Sequence, residues 1–191
     1  MAMEMESYVR IHNGDKKVAE KLKEIFGNGN SSIPLINNLY GTNYTWDIDL
    51  SREENQEAEN TWPEWDWMQE NVGSKWIQCE FDYDDNPEHI HLILTTAYSV
   101  PQGYLKKLSE VLIDIKEDCY ITGTYEEESY EPMGAFLYGK LWDDIEDYDD
   151  VIDQDKMWED DFYMEKVREE VEQMRIDIEK VYLEDLEENE Q

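Results

Sequence analysis

Apolar and polar residues alternate, then step in threes and fours, then alternate again over the first 140 residues of this chain. Residues 7–12 set Val9 and Ile11 on one side and Tyr8, Arg10 and His12 on the other, which predicts a strand. Asn13-Gly14 makes a turn, and Asp15 opens a helix through about Phe26 with Val18, Leu22, Ile25 and Phe26 at helical spacing and Gly27 at its end. Residues 77–82 and 88–97 predict two strands joined by the turn Asp84-Asp85-Asn86-Pro87. In the second of these, Ile90, Leu92 and Leu94 alternate against His89, His91 and Ile93. Pro101 begins a helix whose Leu105, Leu108, Val111, Leu112 and Ile115 form an apolar stripe. Residues 119–126 and 133–140 are two further strands flanking an acidic turn. The order predicts an α+β fold, a ferredoxin-like antiparallel sheet with two packed helices and one additional strand.

Two stretches interrupt this pattern. Residues 28–61 are rich in Asn, Gly and Ser, with Tyr40, Tyr44 and Trp46 scattered among them. They predict an inserted loop with one short helix at about residues 52–59. Residues 62–76 then hold four of the seven Trp residues, a density that predicts docking across the main core.

From Leu141 the character changes. Residues 141–191 carry 22 acidic and five basic side chains, a net of −17 out of −33 for the whole chain. Residues 143–155 read as an acidic linker, and a helix is expected from about Lys156 nearly to the end. Met164, Val167, Val171, Met174, Ile178 and Val181 step by three and four along it, the heptad seam. Such a stripe packs on the protein's own sheet or pairs two copies of the chain as a homodimer. The expected organisation is a ferredoxin-like domain over 1–140 and an acidic linker with a C-terminal helical extension over 141–191.

The hydrophobic fraction, 40%, is enough for a core, but 49 acidic against 16 basic residues is the outlying property. A net charge of −33 excludes ordinary nucleic-acid binding and disfavours anionic membrane surfaces. It favours a basic protein partner, a metal cation, or solubility alone. Cys79 and Cys119 each fall in or beside a predicted strand and read as buried thiols. With no apolar run near 18 residues and no targeting segment, the expected location is cytoplasmic.

Several fragments resemble the YubB-type ferredoxin-like domain family of phage and plasmid proteins. They are YVRIHNGDKKVAEKLKEIF, NVGSKW, LTTAYSVPQGYLKKLSE and TYEEESYEPMGAFLYGK, covering about residues 8–140 in the family's motif order. The chain departs from that pattern at Val72, where the family has an aromatic residue, at Val100, where it has a proline, and in the acidic tail. The resemblance implies a bacterial host and a mobile-element origin, and it carries over no catalytic residue.

Three histidines, His12, His89 and His91, fall on strands that this topology would bring together, a potential transition-metal set weighed against exposed polar positions. Asp143, Asp144, Asp147, Asp149, Asp150, Asp153 and Asp155 lack the glycine and terminal glutamate of a calcium loop. There is no phosphate-cradling loop and no nucleophile elbow, so neither an enzyme nor a cofactor is expected. The expected function is a nucleic-acid-mimicking decoy that occupies a basic, nucleic-acid-binding host protein, a defence nuclease or CRISPR effector being the natural class. Its partner-binding residues would be the seven aspartates above together with Glu165, Glu169, Glu172 and Glu179. The alternative is an interaction module that uses the Trp-rich segment and the heptad stripe. Charge spacing bears on the choice. As a lone helix, residues 155–190 hold one net charge per ~5 Å, against one per ~3.4 Å for a single nucleic-acid strand and ~1.7 Å for a duplex. Mimicry therefore requires the tail to lie beside a second acidic element.

Overall fold

The computed structural model describes residues 3–27, 29–45, 63–82, 90–128, 132–148, 153, 156 and 162–189. In chain order the elements are β1 (Glu4–His12), α1 (Lys16–Phe26), α2 (Ser32–Tyr40), α3 (Trp65–Asn71), β2 (Ile77–Asp82), β3 (Ile90–Ala97), α4 (Gln102–Ile115), β4 (Tyr120–Glu127), β5 (Met133–Tyr138), β6 (Asp143–Asp147) and α5 (Tyr163–Asn189). All six strands join one sheet in the order β2-β3-β1-β4-β5-β6, every pair antiparallel. The fold is α+β. Its first four strands are compatible with a ferredoxin-like arrangement, and the sheet is larger by two strands at the β4 edge.

Register places Val9 opposite Leu92 and Gly123, and carries the same face outward to Phe136 and Ile145. This face is apolar because Met5, Val9 and Ile11 of β1 and most of the residues beside them are apolar, with Ser7 buried among them, and α1, α2, α3 and α4 close over it. Val18, Leu22, Leu35, Ile36, Met68, Leu105 and Leu108 meet Val9, Ile11, Leu92 and Ile121 there. Asp15 caps α1 through Oδ1, which accepts from the amides of Lys17 (2.8 Å) and Val18 (3.0 Å).

Residues 32–40 are a helix where the sequence predicts loop. Pro34 sits in the first turn, where a missing N–H costs nothing, and Gly41 ends the helix in the left-handed region at φ 68°. The Ser32 hydroxyl exchanges hydrogen bonds with the carbonyl and amide of Ile77, fixing α2 to β2. The flanking Asn and Gly residues mask this helix in the sequence. The short helix expected at 52–59 lies outside the described residues, as do Trp46, Trp62 and His89. Of the Trp-rich segment, Trp67 packs edge-on to Tyr40 at 5.2 Å, whereas Trp65 is 56% exposed. Docking of that segment is therefore partial.

Residues 143–147 are a strand rather than linker. β5 is buried along its whole length, so its outer backbone edge needs a partner, and β6 supplies one while its carboxylates stay near solvent. The second face of the sheet carries Tyr120, Met133, Ala135 and Leu137, and α5 lies over β4 and β5 to cover them. Val167, Val171, Ile178 and Tyr182 are the buried side chains of its contact stripe. Gly139 lets Tyr182 in, since a Cβ there would stand 2.4 Å from the tyrosine ring. The heptad reading misplaces the C-terminal end of the stripe: Val181 is exposed and Tyr182 is buried. A helix of 3.6 residues per turn on a flat sheet drifts off a strict seven-residue repeat.

Candidate functional site

The even positions of β1 and β4 point to the second face, so Arg10, His12, Tyr120 and Thr122 meet the flank of α5. Arg175, with only 7% of its side chain exposed, is the hub. Its Nη1 donates to Glu179 Oε2 at 2.6 Å and to Thr122 Oγ1 at 3.1 Å, while Nε and Nη2 donate to Glu172 Oε1 at 3.1 and 3.0 Å. Arg10 Nη1 reaches the same Glu172 oxygen at 2.6 Å, and the Tyr120 hydroxyl donates to Glu179 Oε1 at 2.8 Å. His12 stacks flat on Tyr120 with ring centres 4.5 Å apart. Its Nε2 is 2.8 Å from Thr122 Oγ1 and its Nδ1 is 3.3 Å from Glu179 Oε1. The Glu179 carboxylate can only accept, so the neutral imidazole carries its proton on Nδ1, facing Glu179, and accepts the Thr122 hydroxyl at Nε2.

Burial lowers the His12 pKa, Glu179 opposes this, and Arg175, Arg10 and His91 lower it further. For Glu172, burial raises the pKa, but the hydrogen bonds and charges of Arg175 and Arg10 outweigh it and the net shift is downward. Both shifts act in one direction on stability. Below an ordinary histidine pKa of about 6.5, the unfolded chain takes up a proton that folded His12 resists. Stability from this group is therefore present at neutral pH and lost as pH falls through 6.5. Glu172 adds a further loss below the ordinary carboxylate range. Acidification also relieves self-repulsion, so the informative quantity is a difference. Between pH 7.5 and 5.5 the urea midpoint of wild type should fall relative to that of His12→Gln, and parallel midpoints would refute the assignment.

The acidic residues that the sequence singles out have different settings. Glu165 and Glu169 are exposed and make no ion pair among the described residues. Glu172 and Glu179 point inward as counter-ions of the network, a placement the sequence could not distinguish from an outward one. Asp143, Asp144 and Asp147 lie on β6, where Asp143 pairs with Lys106 Nζ at 2.8 Å and Asp147 accepts from the Tyr125 hydroxyl. Asp153 accepts from Lys156, and its amide donates to the Tyr163 hydroxyl at 2.8 Å. Asp149, Asp150 and Asp155 lie outside the described residues. Among the described residues no three His, Cys, Asp or Glu side chains are grouped to hold a metal. His91 is exposed opposite Arg10 in the sheet, while His12 is turned into the network. Cys79 and Cys119 are buried free thiols, each pushed up to about 12 by burial. No helix among the described residues is long and apolar enough to cross a membrane.

The residues that flank β6 reach across to α5. Trp142 Nε1 donates to Asp185 Oδ2 at 2.8 Å at one end, and the Tyr148 hydroxyl donates to Glu170 at the other. Residues 170–185 of α5 span ~22 Å. Over that length the helix has six acidic and two basic residues, and β6 adds Asp144 and Glu146 on the same side of the sheet, while its Asp143 and Asp147 share the opposite face with Ile145. Counting Arg10, which also pairs here, the net is −5, one charge per ~4.5 Å. That is denser than the lone helix and approaches the ~3.4 Å spacing of a single nucleic-acid strand, at under half the density of a duplex. Across the chain the positive charge is largely neutralised: at least 12 of the 16 basic side chains stand within 4.0 Å of a carboxylate. No protein-family model, curated protein or solved structure matches this chain.

Proposed function

We propose that this chain is a non-catalytic acidic decoy that occupies the single-strand-binding surface of a basic protein. The observation that supports the reading is the anchoring of α5 by Trp142 and Tyr148 on either side of β6, which sets Asp144 and Glu146 beside an acidic helix at a charge spacing that approaches a single strand's. The first four strands, read as a ferredoxin-like core, serve as the platform, and the added strands and α5 carry the charge. The resemblance to YubB-type domains favours a phage or plasmid origin, with a bacterial nucleic-acid-binding or defence protein in the host cytoplasm as the target.

A pull-down from bacterial lysate at rising salt tests this. The decoy should release its partner as salt rises, because the ionic term is spread over many weak contacts, and single-stranded nucleic acid should compete. Retention of the partner at high salt, unaffected by nucleic acid, would place recognition on an apolar surface such as that around Trp65 instead.

A further inference from the structure

α5 covers only the β4–β5 half of the second face. The β2-β3-β1 half is open among the described residues, with His91, Gln78 and Glu80 exposed and Tyr8 37% exposed. Three strands at ~4.8 Å spacing present a face ~10 Å across, the width one helix covers. Where this open face meets the flank of α5 runs a groove of about 960 Å³. Tyr8 and Arg10 form its floor, and Ile176, 42% exposed, stands in its wall. Glu165, Glu169 and Glu172 line the same wall. The two cations in the groove already have partners. Arg10 is held by Glu172, and Arg168 grips Glu126 with Nε and Nη2 at 2.9 and 3.1 Å. Glu165 and Glu169 remain without a cation among the described residues.

We propose that this groove docks a basic amphipathic helix of the partner protein, laid beside α5 against β1 and β3. The apolar side chains of that helix would meet Tyr8 and Ile176, and its lysines and arginines would meet Glu165 and Glu169. The inference rests on the acidic-decoy reading and adds the partner's secondary structure and the place where it binds. A helix that meets a nucleic-acid strand with its basic face would find here the two uncompensated carboxylates Glu165 and Glu169, and additionally an apolar strip to lie on. Charge complementarity selects this occupant: a second copy of the chain would bring its own excess of carboxylates into the groove.

The test uses the full chain and a synthetic Lys/Leu amphipathic helix of about 18 residues, ~27 Å long, close to the length of β1. A shuffled peptide of the same composition lacks the apolar face. By calorimetry, the amphipathic peptide should bind the chain more tightly than the shuffled one. The pair E165K/E169K should weaken it about tenfold or more, whereas E184K/E188K, at the same spacing on the same helix and outside the groove, should weaken it less than about threefold. Ile176→Ser should weaken the amphipathic peptide only. Circular dichroism confirms that each variant is folded, which their exposed positions favour. Equal losses from the two charge pairs, or equal affinity for the two peptides, would overturn the groove and leave the decoy standing. Binding that ignores both charge pairs and salt would overturn the decoy reading itself. No binding of either peptide at low salt would overturn the groove.

Discussion

Arg175→Ala should destabilise the protein by about 3 kcal/mol, near the lower end of what removing one member of a buried ion pair costs. The loss is large because the guanidinium bonds Glu172, Glu179 and Thr122 together, and its removal strands two carboxylates beneath a helix. It falls at the lower end because both carboxylates keep other partners. Glu172 retains Arg10, and Glu179 retains the Tyr120 hydroxyl and the proton-bearing side of His12. Arg175 also depresses the His12 pKa, so the same variant should raise it. Urea denaturation measures the first effect and the imidazole resonances across pH the second. Replacing the set R175M/E172Q/E179Q should recover most of the stability, since only the part-exposed Arg10 then keeps a formal charge there and less desolvation is left to offset. A loss under about 1 kcal/mol in Arg175→Ala would mean that the network is wet and contributes little.

Removing α5, by ending the chain at residue 160, should leave no stable monomer. Val167, Val171, Ile178 and Tyr182 are each at most 5% exposed. At roughly 1.5–3 kcal/mol per fully buried large side chain they contribute ~6–12 kcal/mol, which rivals the whole stability of a typical domain. The truncation also uncovers Tyr120, Met133, Ala135 and Leu137 as one contiguous apolar patch on β4 and β5. Light scattering should show aggregation, and thermal melts should lose their cooperative transition. A truncated chain that melts cooperatively as a monomer would make α5 a detachable appendage, available as a free acidic arm.

Much of the core was legible from local pattern. The alternation of Val9 and Ile11, the turn at Asn13, the Asp15 cap and the stripe of Leu105, Leu108 and Leu112 all stand as expected. Each depends on neighbours within a few residues, where periodicity and capping chemistry act directly. The start of β1 lies three residues earlier than read because Met5 continues the buried alternation beyond Ser7. α2 was hidden because three apolar side chains, Leu35, Ile36 and Leu39, stand among Asn residues that score as loop. β6 was hidden more deeply. Nothing in the string Asp143-Asp144-Ile145-Glu146-Asp147 favours a strand, and it forms one because the buried β5 offers an unpaired backbone edge.

The charge excess, the division into an apolar-patterned body and an acidic tail, and the existence of a C-terminal amphipathic helix were determined by the sequence alone, since composition and period require no partner to be defined. Which carboxylates would be surface and which counter-ion was decided only by the tertiary structure. Glu165 and Glu172 are seven residues apart, two turns along the same flank of α5, and no local rule separates them. Glu172 meets Arg10 across 162 residues of sequence, and Glu165 meets no such cation among the described residues. A helix's period says which residues share a face; where that face lands on the sheet, and which basic side chain waits there, is set by contacts between residues remote in the chain.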